Sequence, residues 1–307
     1  MEAALLVLPN FALIVAGLAL ARGFDYGRDF WSGLEKLVYF VLFPALLFRS
    51  LAAARIDLAA AGVLVGAAAA FTGAAFALSL LAGPVLRLDR KLLAAGSQCG
   101  YRFNTYIALA VAGSLYGNAG VALVALILGA MIPLANFAAV AVLARHGERG
   151  FVSELVRHPL VASSLAGFAW NAAGLRLPGF ADQTLSLLGQ SSLPAGLLCV
   201  GAAMRLEGGA GGREAGAHAW WLAVKLAATP AIAWALARAL GLAGMEARVL
   251  ILCAAVPTAT NAYILAVRMT GDGRAVATQV TVGTVLSMAT LPFWLSVMRP
   301  DPGARCN

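Results

Sequence analysis

Two polar stretches interrupt otherwise apolar segments of the chain, and they contain the side chains best suited to bind a small ligand. The first is GSQCGYRFNT at residues 96–105, and the second is PTATN at residues 257–261. Amide, hydroxyl and guanidinium groups donate hydrogen bonds to carboxylates. The pattern Asn-x-Tyr-Ile begins near the end of each stretch, at Asn104 and again at Asn261. We therefore expect a site for a small organic anion where two interrupted segments meet.

The candidate substrate-binding residues belong to these two stretches, to their immediate continuations and to one later apolar segment. They are Asn104, Asn261, Arg102, Thr105, Tyr106, Pro257, Thr258, Thr260, Tyr263, Gln190 and Ser191. Pro44 and Pro194 are predicted to bend two further segments around the cavity as structural hinges.

Each assignment has a structural alternative. Arg102 is about 16 Å beyond Lys91 along a helix, deep enough in a membrane to be either a substrate contact or a brace for helix-end carbonyls. The asparagines are expected to bind the anion and cap broken helix ends, although Asn also joins neighbouring helices. The tyrosines fit aromatic packing as well as substrate contact, and Gln190 and Ser191 fit helix packing as well as a cavity wall. Lys225 is expected to snorkel to the surface or to pair with a loop.

Composition shows that the solvent of this chain is lipid. Of its 307 residues, 61% are hydrophobic and 12% are charged, and the mean hydropathy is +0.85. A soluble domain has about 25% charged residues. The net charge of +8 comes from basic residues scattered between apolar runs, which is typical of membrane loops rather than of a nucleic-acid surface. No Cys/His cluster has the spacing of a metal site, so no metal is predicted.

Apolar runs long enough to cross a bilayer of about 30 Å recur along the chain, and they predict an all-α membrane protein of ten helices. The runs lie at 3–21, 34–52, 58–83, 91–115, 119–144, 152–173, 183–204, 216–240, 246–269 and 275–298.

The two halves of the chain resemble each other in the order of several residues. The matched pairs are Pro9 and Pro159, Gly17 and Gly167, Phe43-Pro44-Ala45 and Leu193-Pro194-Ala195, Asn104 and Asn261, and Pro133 and Pro292. Because each half holds five predicted spans, the second half must enter the membrane upside down. The sequence thus predicts two inverted repeats, 1–145 and 146–307, which together form one membrane domain, as in secondary transporters.

Lys and Arg are more frequent in the loops after odd-numbered spans than in the others. The positive-inside rule then predicts a multi-pass protein of the inner (plasma) membrane with both termini on the non-cytoplasmic side. The predicted partners are the lipid bilayer and a small organic anion, with no nucleic acid. The sequence leaves open whether two copies pair as a homodimer.

The residues also resemble a known family. RFNTYIALA at 102–110, GNAG at 117–120, VPTATNAYILA at 256–266 and the paired prolines resemble the auxin efflux carrier family, which includes bacterial malonate and malate carriers and plant PIN auxin exporters. The resemblance implies two inverted five-helix repeats with crossed broken helices 4 and 9, as in sodium/proton antiporters and bile-acid symporters. It also implies a scaffold bundle, a mobile elevator-type transport bundle and a carboxylate site beside the crossing.

Carried onto this chain, the resemblance places the crossing at Asn104, Asn261 and Pro257. The chain departs from plant members in having Phe103 where they have proline. It also has only a short link, at about 145–157, where many of them have a long cytoplasmic loop.

The predicted function is alternating-access transport of carboxylates such as malonate, malate or auxin-like acids, without enzymatic activity or a cofactor. A coupling ion, Na⁺ or H⁺, is left open, and a sodium-coupled organic-acid or bile-acid-type symporter is the first alternative. A polytopic membrane enzyme would need clustered His, Asp or Glu, and a non-transporting membrane protein would not need interrupted helices.

Overall fold

The computed structural model describes residues 2–24, 26–54, 58–143, 159–204, 212–259, 262–263, 266 and 273–297, and every regular element in these ranges is helical. The α-helices are α1 (Glu2–Gly23), α2 (Arg28–Leu37), α3 (Phe43–Ala52), α4 (Leu58–Leu86), α5 (Arg90–Tyr101), α6 (Thr105–Leu143), α7 (Pro159–Ala172), α8 (Gly179–Ala202), α9 (Gly212–Ala223), α10 (Thr229–Ala239), α11 (Gly244–Ala255) and α12 (Arg274–Val297).

Within these ranges, five helical segments are long and apolar enough to cross a membrane. They are Ala61–Leu86, Arg90–Gly129, Gly179–Ala202, Gly212–Ala239 and Arg274–Val297. The second of them turns at Gly117, whose φ of 58° and ψ of −149° lie outside helical values. That glycine falls between the fourth and fifth spans predicted from the sequence.

Two wide helical turns join pairs of α-helices, and a proline follows each of them. The π-helical segment Val38–Leu42 leads from α2 into α3, and Val224–Ala228 leads from α9 into α10. In each case the prolines, Pro44 and Pro230, lie at the start of the next helix. A proline removes one backbone donor and crowds the preceding turn, and the wider π turn accommodates it without ending the helix. Pro194, by contrast, lies inside α8, which continues through it.

Glycines bring two pairs of helices into backbone contact. Helix α1 packs along α8, and α3 packs along α7. A Cβ added at Gly17 would lie 2.1 Å from the Leu198 carbonyl oxygen, and one at Gly167 would lie 2.6 Å from the Phe48 carbonyl oxygen. The two glycines are 150 residues apart in sequence, and so are their two partners. The same contact is therefore made twice, once by each half of the chain.

Candidate functional site

The first polar stretch is the point at which one helix stops and another starts. Helix α5 begins at the Asp89 cap, whose carboxylate accepts from the N–H groups of Lys91 and Leu92, and it ends at Tyr101. Arg102 has extended backbone angles (φ −74°, ψ 152°), and its N–H still reaches the Gln98 carbonyl at 3.0 Å. The chain resumes helical structure at Thr105. Three residues, including Phe103, therefore form the interruption, although none of them is proline.

The second polar stretch ends α11 in the same way. Val256 leaves the helix with φ −64° and ψ 149°, while its N–H still pairs with the Leu252 carbonyl at 3.0 Å. Pro257 follows and has no N–H to continue the ladder. Both Val256 and Pro257 are buried, so the carbonyls released at this helix end need partners within the protein.

The two interruptions are hydrogen-bonded to each other. The Asn104 N–H donates to the Pro257 carbonyl at 2.8 Å. The Thr258 hydroxyl donates to the carbonyl of Cys99, near the end of α5, at 2.5 Å. Each break thus supplies a group that the other lacks, which stabilises irregular backbone in the low-dielectric interior.

Asn104 caps the helix that follows the first break. Its side-chain oxygen accepts from the N–H groups of Tyr106 at 3.0 Å and Ile107 at 3.2 Å, which is the hydrogen-bonding pattern of an N-cap. The residue is only 2% exposed. Its Nδ2 amide has no hydrogen-bond partner among the described residues, so two buried N–H donors remain at the positive end of α6.

Two cations are buried near the breaks. Arg102 is 6% exposed and directly follows α5. Lys225 is 2% exposed, and its ammonium donates to the Ala254 carbonyl, in the last turn of α11, at 3.0 Å. The expectation that Lys225 would snorkel or pair with a loop was wrong. The π turn places its side chain against a broken helix end, where a released carbonyl is a closer acceptor than water or a loop.

No buried carboxylate accompanies these cations in the part of the chain that the structure describes. The ion pair between Arg49 and Asp182 joins α3 to α8 away from the crossing and is partly exposed, with N–O distances of 2.7 and 3.1 Å. A buried charge is costly unless it is paired. Because both basic residues and the amino end of α6 lie at the crossing, it has a positive electrostatic character, and the Asn104 amide adds donors without a partner among the described residues.

The other candidate residues divide into those near the crossing and those on separate faces. Thr105 and Tyr263 are half-buried, and Tyr106 stacks on Phe43 at 4.9 Å between ring centroids. Gln190 and Ser191 are exposed and bond within their own helix, to the Ser186 hydroxyl and the Leu187 carbonyl. Thr260 and Asn261 lie outside the described residues.

Sequence reasoning missed Lys225 as a residue of the crossing. The available signal was a lone cation in an apolar segment, a few residues before Pro230. That pattern gives the depth of the residue but not which neighbouring helix it meets. It therefore could not distinguish a surface lysine from one bonded to α11.

A separate apolar groove of about 250 Å³ lies on another part of the molecule. Its walls come from α3, α4, α6 and α7, and they include Leu51, Val65, Leu126 and Phe168. The near absence of polar atoms in these walls makes it unsuitable for a carboxylate.

Comparison with known proteins shows which class of protein this chain resembles. Residues 145–295 match the family described as "Membrane transport protein". The chain is also 26% identical over 316 aligned residues to a Rhizobium meliloti (strain 1021) protein named "Putative malonate transporter", with 96% of this chain and 95% of that protein covered. Both findings agree with the resemblance to the auxin efflux carrier family.

The resemblance drawn from the sequence motifs is thereby confirmed. The chain is a multi-pass membrane transport protein, and its partners are a small-molecule substrate and the bilayer.

Proposed function

We propose that this protein is a secondary transporter of small organic anions, with its substrate site at the crossing of the two interrupted helices. The observation that carries the proposal is the set of buried groups at that crossing. Arg102 and Lys225 bring positive charge, and the Asn104 amide brings two donors without a partner in the described residues. A small carboxylate would accept hydrogen bonds from the Asn104 amide in surroundings of favourable positive charge.

The N-terminal end of α6 adds to the preference of the crossing for anions. The N–H groups of Tyr106 and Ile107 are already used by the Asn104 oxygen, so that side chain holds the helix start rigid. The Asn104 amide nitrogen then projects from a fixed cap at the positive end of the helix dipole. Fixed donors at a helix start favour anions because they need no reorganisation on binding.

We propose that the carrier works by alternating access between two inverted five-helix repeats, 1–145 and 146–307. The paired contacts of Gly17 with Leu198 and of Gly167 with Phe48 support this arrangement, because a pseudo-two-fold axis would exchange them. Helices α1, α3, α7 and α8 would form the scaffold that these contacts hold together. The remaining helices, with both breaks, would form the moving bundle of an elevator-type carrier.

For the substrate we propose a short carboxylate of the malonate or malate type. The relative named as a malonate transporter aligns along almost the whole chain, which supports this choice. The basic residues of the loops support an inner-membrane location with both termini on the non-cytoplasmic side.

Three substitutions at Asn104 test the site, because they separate its two roles. Asn104→Asp and Asn104→Ser keep a side-chain oxygen that can cap α6, and both lose the amide donors. Asn104→Ala loses the cap as well, and we expect it to cost about 1 kcal/mol of stability. The purified proteins would be reconstituted in liposomes and assayed for uptake of radiolabelled malonate, with thermal unfolding measured in parallel.

We expect the Ser and Asp variants to unfold near the wild-type temperature and yet to lose at least about tenfold in uptake, a change of about 1.4 kcal/mol. The Asp variant should be the worse of the two, because it adds a negative charge beside the anion. Wild-type uptake in the well-folded Asp variant would refute the site. Absence of saturable uptake of any short carboxylate by the wild type would refute the proposed function.

A further inference from the structure

The π turn at Val224–Ala228 places a buried lysine at the end of a broken helix. Lys225 lies within this turn and is 2% exposed, and its side-chain nitrogen donates to the Ala254 carbonyl at 3.0 Å. In an unbroken helix that carbonyl would accept the N–H of residue 258, four positions later. Because the break at Pro257 removes that bond, Lys225 supplies the missing donor.

The same turn packs on the other broken helix and is linked to the proposed anion site. A Cβ added at Gly100, in the last turn of α5, would lie 3.3 Å from a methyl group of the turn. The Ala254 carbonyl is one helical turn before Pro257, whose own carbonyl accepts from the Asn104 N–H at 2.8 Å. Lys225 is therefore bonded to the same helix end that holds the backbone of Asn104.

The hydrogen bond from Lys225 does not require the side chain to be charged. An ammonium group has three N–H donors and a neutral amine has two, so a donor remains for the Ala254 carbonyl in either form. At the other break, the Cys99 carbonyl accepts from the Thr258 hydroxyl, which carries no charge to gain or lose. Lys225 can therefore release its proton without leaving the end of α11 unsatisfied.

The helices around the π turn place no carboxylate against Lys225 in the part of the chain that the structure describes. The turn packs against α4, α5, α9, α10, α11 and α12. Among the described residues of these helices the carboxylates are Glu214 and Glu246, each in the first turn of its helix. The Cys253 thiol interacts electrostatically with Lys225, but a thiol is mostly uncharged at neutral pH.

The other titratable groups of these helices supply no negative charge either. On α9, His218 is half-buried, and its ring bonds to the Gln279 side chain at 2.7 Å. The end of α5 has the thiol of Cys99 and the phenol of Tyr101, both uncharged at neutral pH, and Arg102 follows. The remaining charged residues are basic and lie in the first two turns or the last turn of their helices: Arg90, Lys91, Arg213, Arg238, Arg248 and Arg274.

Burial makes the charge of Lys225 depend on the substrate. An ammonium group in a low-dielectric interior loses hydration energy that its surroundings only partly restore. The carbonyl end of α11 offsets part of this cost, because a helix C-terminus carries about half a negative charge. A bound carboxylate carries a full charge and would offset more of it. By linkage, the proton on Lys225 and the anion then favour each other's binding to the same extent.

We propose that Lys225 is the proton-binding residue of this carrier and couples the movement of each anion to that of a proton. The inference rests on the proposed anion site at the same crossing. On the side where the substrate binds, the Lys225 amine takes a proton from water as the anion enters. On the opposite side the ammonium returns that proton to water as the anion leaves, so the empty carrier moves back without this charge. The protein is then an anion–proton symporter.

The first experiment reads the protonation of Lys225 directly in the wild type. The chain has three lysines, and the other two, Lys36 and Lys91, are exposed. Nitrogen NMR of purified protein labelled with ¹⁵N at lysine Nζ distinguishes an amine from an ammonium, and Lys36→Arg and Lys91→Arg assign the signals. At mildly alkaline pH we expect the Lys225 signal to be that of an amine without malonate and that of an ammonium with saturating malonate. The two exposed lysines should remain ammonium groups throughout.

The second experiment measures coupling in liposomes whose membrane potential is clamped with potassium and valinomycin. The exterior would be made acidic, and protein-free liposomes would correct for leakage of the undissociated acid. A gradient of about one pH unit supplies about 1.4 kcal/mol per proton, so the wild type should accumulate radiolabelled malonate up to about tenfold. Lys225→Gln and Lys225→Arg cannot exchange this proton and should not accumulate malonate. Lys91→Gln, which removes an exposed lysine at the start of α5, should match the wild type.

Three results would overturn the inference while leaving the proposed function intact. The first is a Lys225 NMR signal that malonate does not change, and the second is saturable wild-type uptake that does not respond to the pH gradient. Neither of these needs a variant of Lys225 to fold. The third is gradient-driven accumulation in Lys225→Gln or Lys225→Arg equal to that of the wild type, which would assign the proton to the substrate or to another residue. Absence of saturable uptake of any short carboxylate by the wild type would instead refute the proposed function itself.

Discussion

The backbone contact at Gly17 gives the sharpest stability prediction. This glycine lies inside α1 against the backbone of α8, and an alanine there would place its Cβ 2.1 Å from the Leu198 carbonyl oxygen and 2.7 Å from the Leu198 Cα. Carbon and oxygen atoms pack at about 3.3 Å or more. Helices α1 and α8 would therefore have to separate by about 1 Å.

The size of the effect follows from that separation. A gap of about 1 Å forfeits a quarter to a half of the dispersion energy between the surfaces involved, and overpacking of this kind costs about 1–3 kcal/mol. Alanine regains up to about 1 kcal/mol through its higher helix propensity. We expect Gly17→Ala to destabilise the protein by about 2 kcal/mol.

Gly167 and Gly73 provide the comparison. At Gly167 the added Cβ would lie 2.6 Å from the Phe48 carbonyl oxygen, so Gly167→Ala should destabilise less than Gly17→Ala. At Gly73, in α4, nothing lies within 4 Å of the added atom, so Gly73→Ala should be neutral or slightly stabilising. Thermal unfolding of the purified variants in one detergent, followed by tryptophan fluorescence, should give apparent Tm values in the order Gly17→Ala, Gly167→Ala, wild type, Gly73→Ala, from lowest to highest.

The reasoning would be refuted by a Gly17→Ala protein as stable as Gly73→Ala. That result would mean that α1 and α8 do not meet at this glycine, and the paired contacts would no longer support two inverted repeats. A destabilised Gly73→Ala would show instead that the effect comes from glycine loss in any span.

Two further measurements test the crossing and the α3–α8 ion pair. Thr258→Val should lower the free energy of unfolding by about 1–3 kcal/mol because it leaves the buried Cys99 carbonyl without its donor, whereas Thr258→Ser should not. Equal stabilities for the two variants would contradict the hydrogen bond between Thr258 and Cys99. A double-mutant cycle with Arg49→Met and Asp182→Asn should give a coupling free energy of about 0.5–1 kcal/mol, since the pair is bidentate but partly exposed. This coupling energy should weaken with added salt. A coupling energy that salt does not change would show that the pair is buried in the membrane-embedded protein.

Part of the site could be predicted from the sequence because it depends on local chemistry. Polar residues and Pro257 within apolar runs indicate where helices stop, and the structure ends α5 at Tyr101 and α11 at Ala255. The match of Gly17 with Gly167 pointed to two glycines with equivalent roles, and each one admits a close backbone approach. The resemblance to the auxin efflux carrier family also came from motifs that are contiguous in sequence.

Asn104 shows where local reasoning was incomplete. Its type and position predicted both helix capping and anion binding. The structure shows that the oxygen is used for the cap, so only the amide nitrogen remains for a ligand. Which atom is free depends on the backbone angles at the break, and the sequence does not specify them.

By itself the sequence determined that this is a helical membrane transport protein with two interrupted helices, because solvent preference and helix interruption depend on residue type and spacing along one segment. The tertiary structure alone decided which groups face each other: Asn104 and Pro257, Thr258 and Cys99, Lys225 and Ala254. The physical reason is that a residue's position in its own helix gives its depth and its face. Its partner is set by the packing of other helices that are distant in sequence.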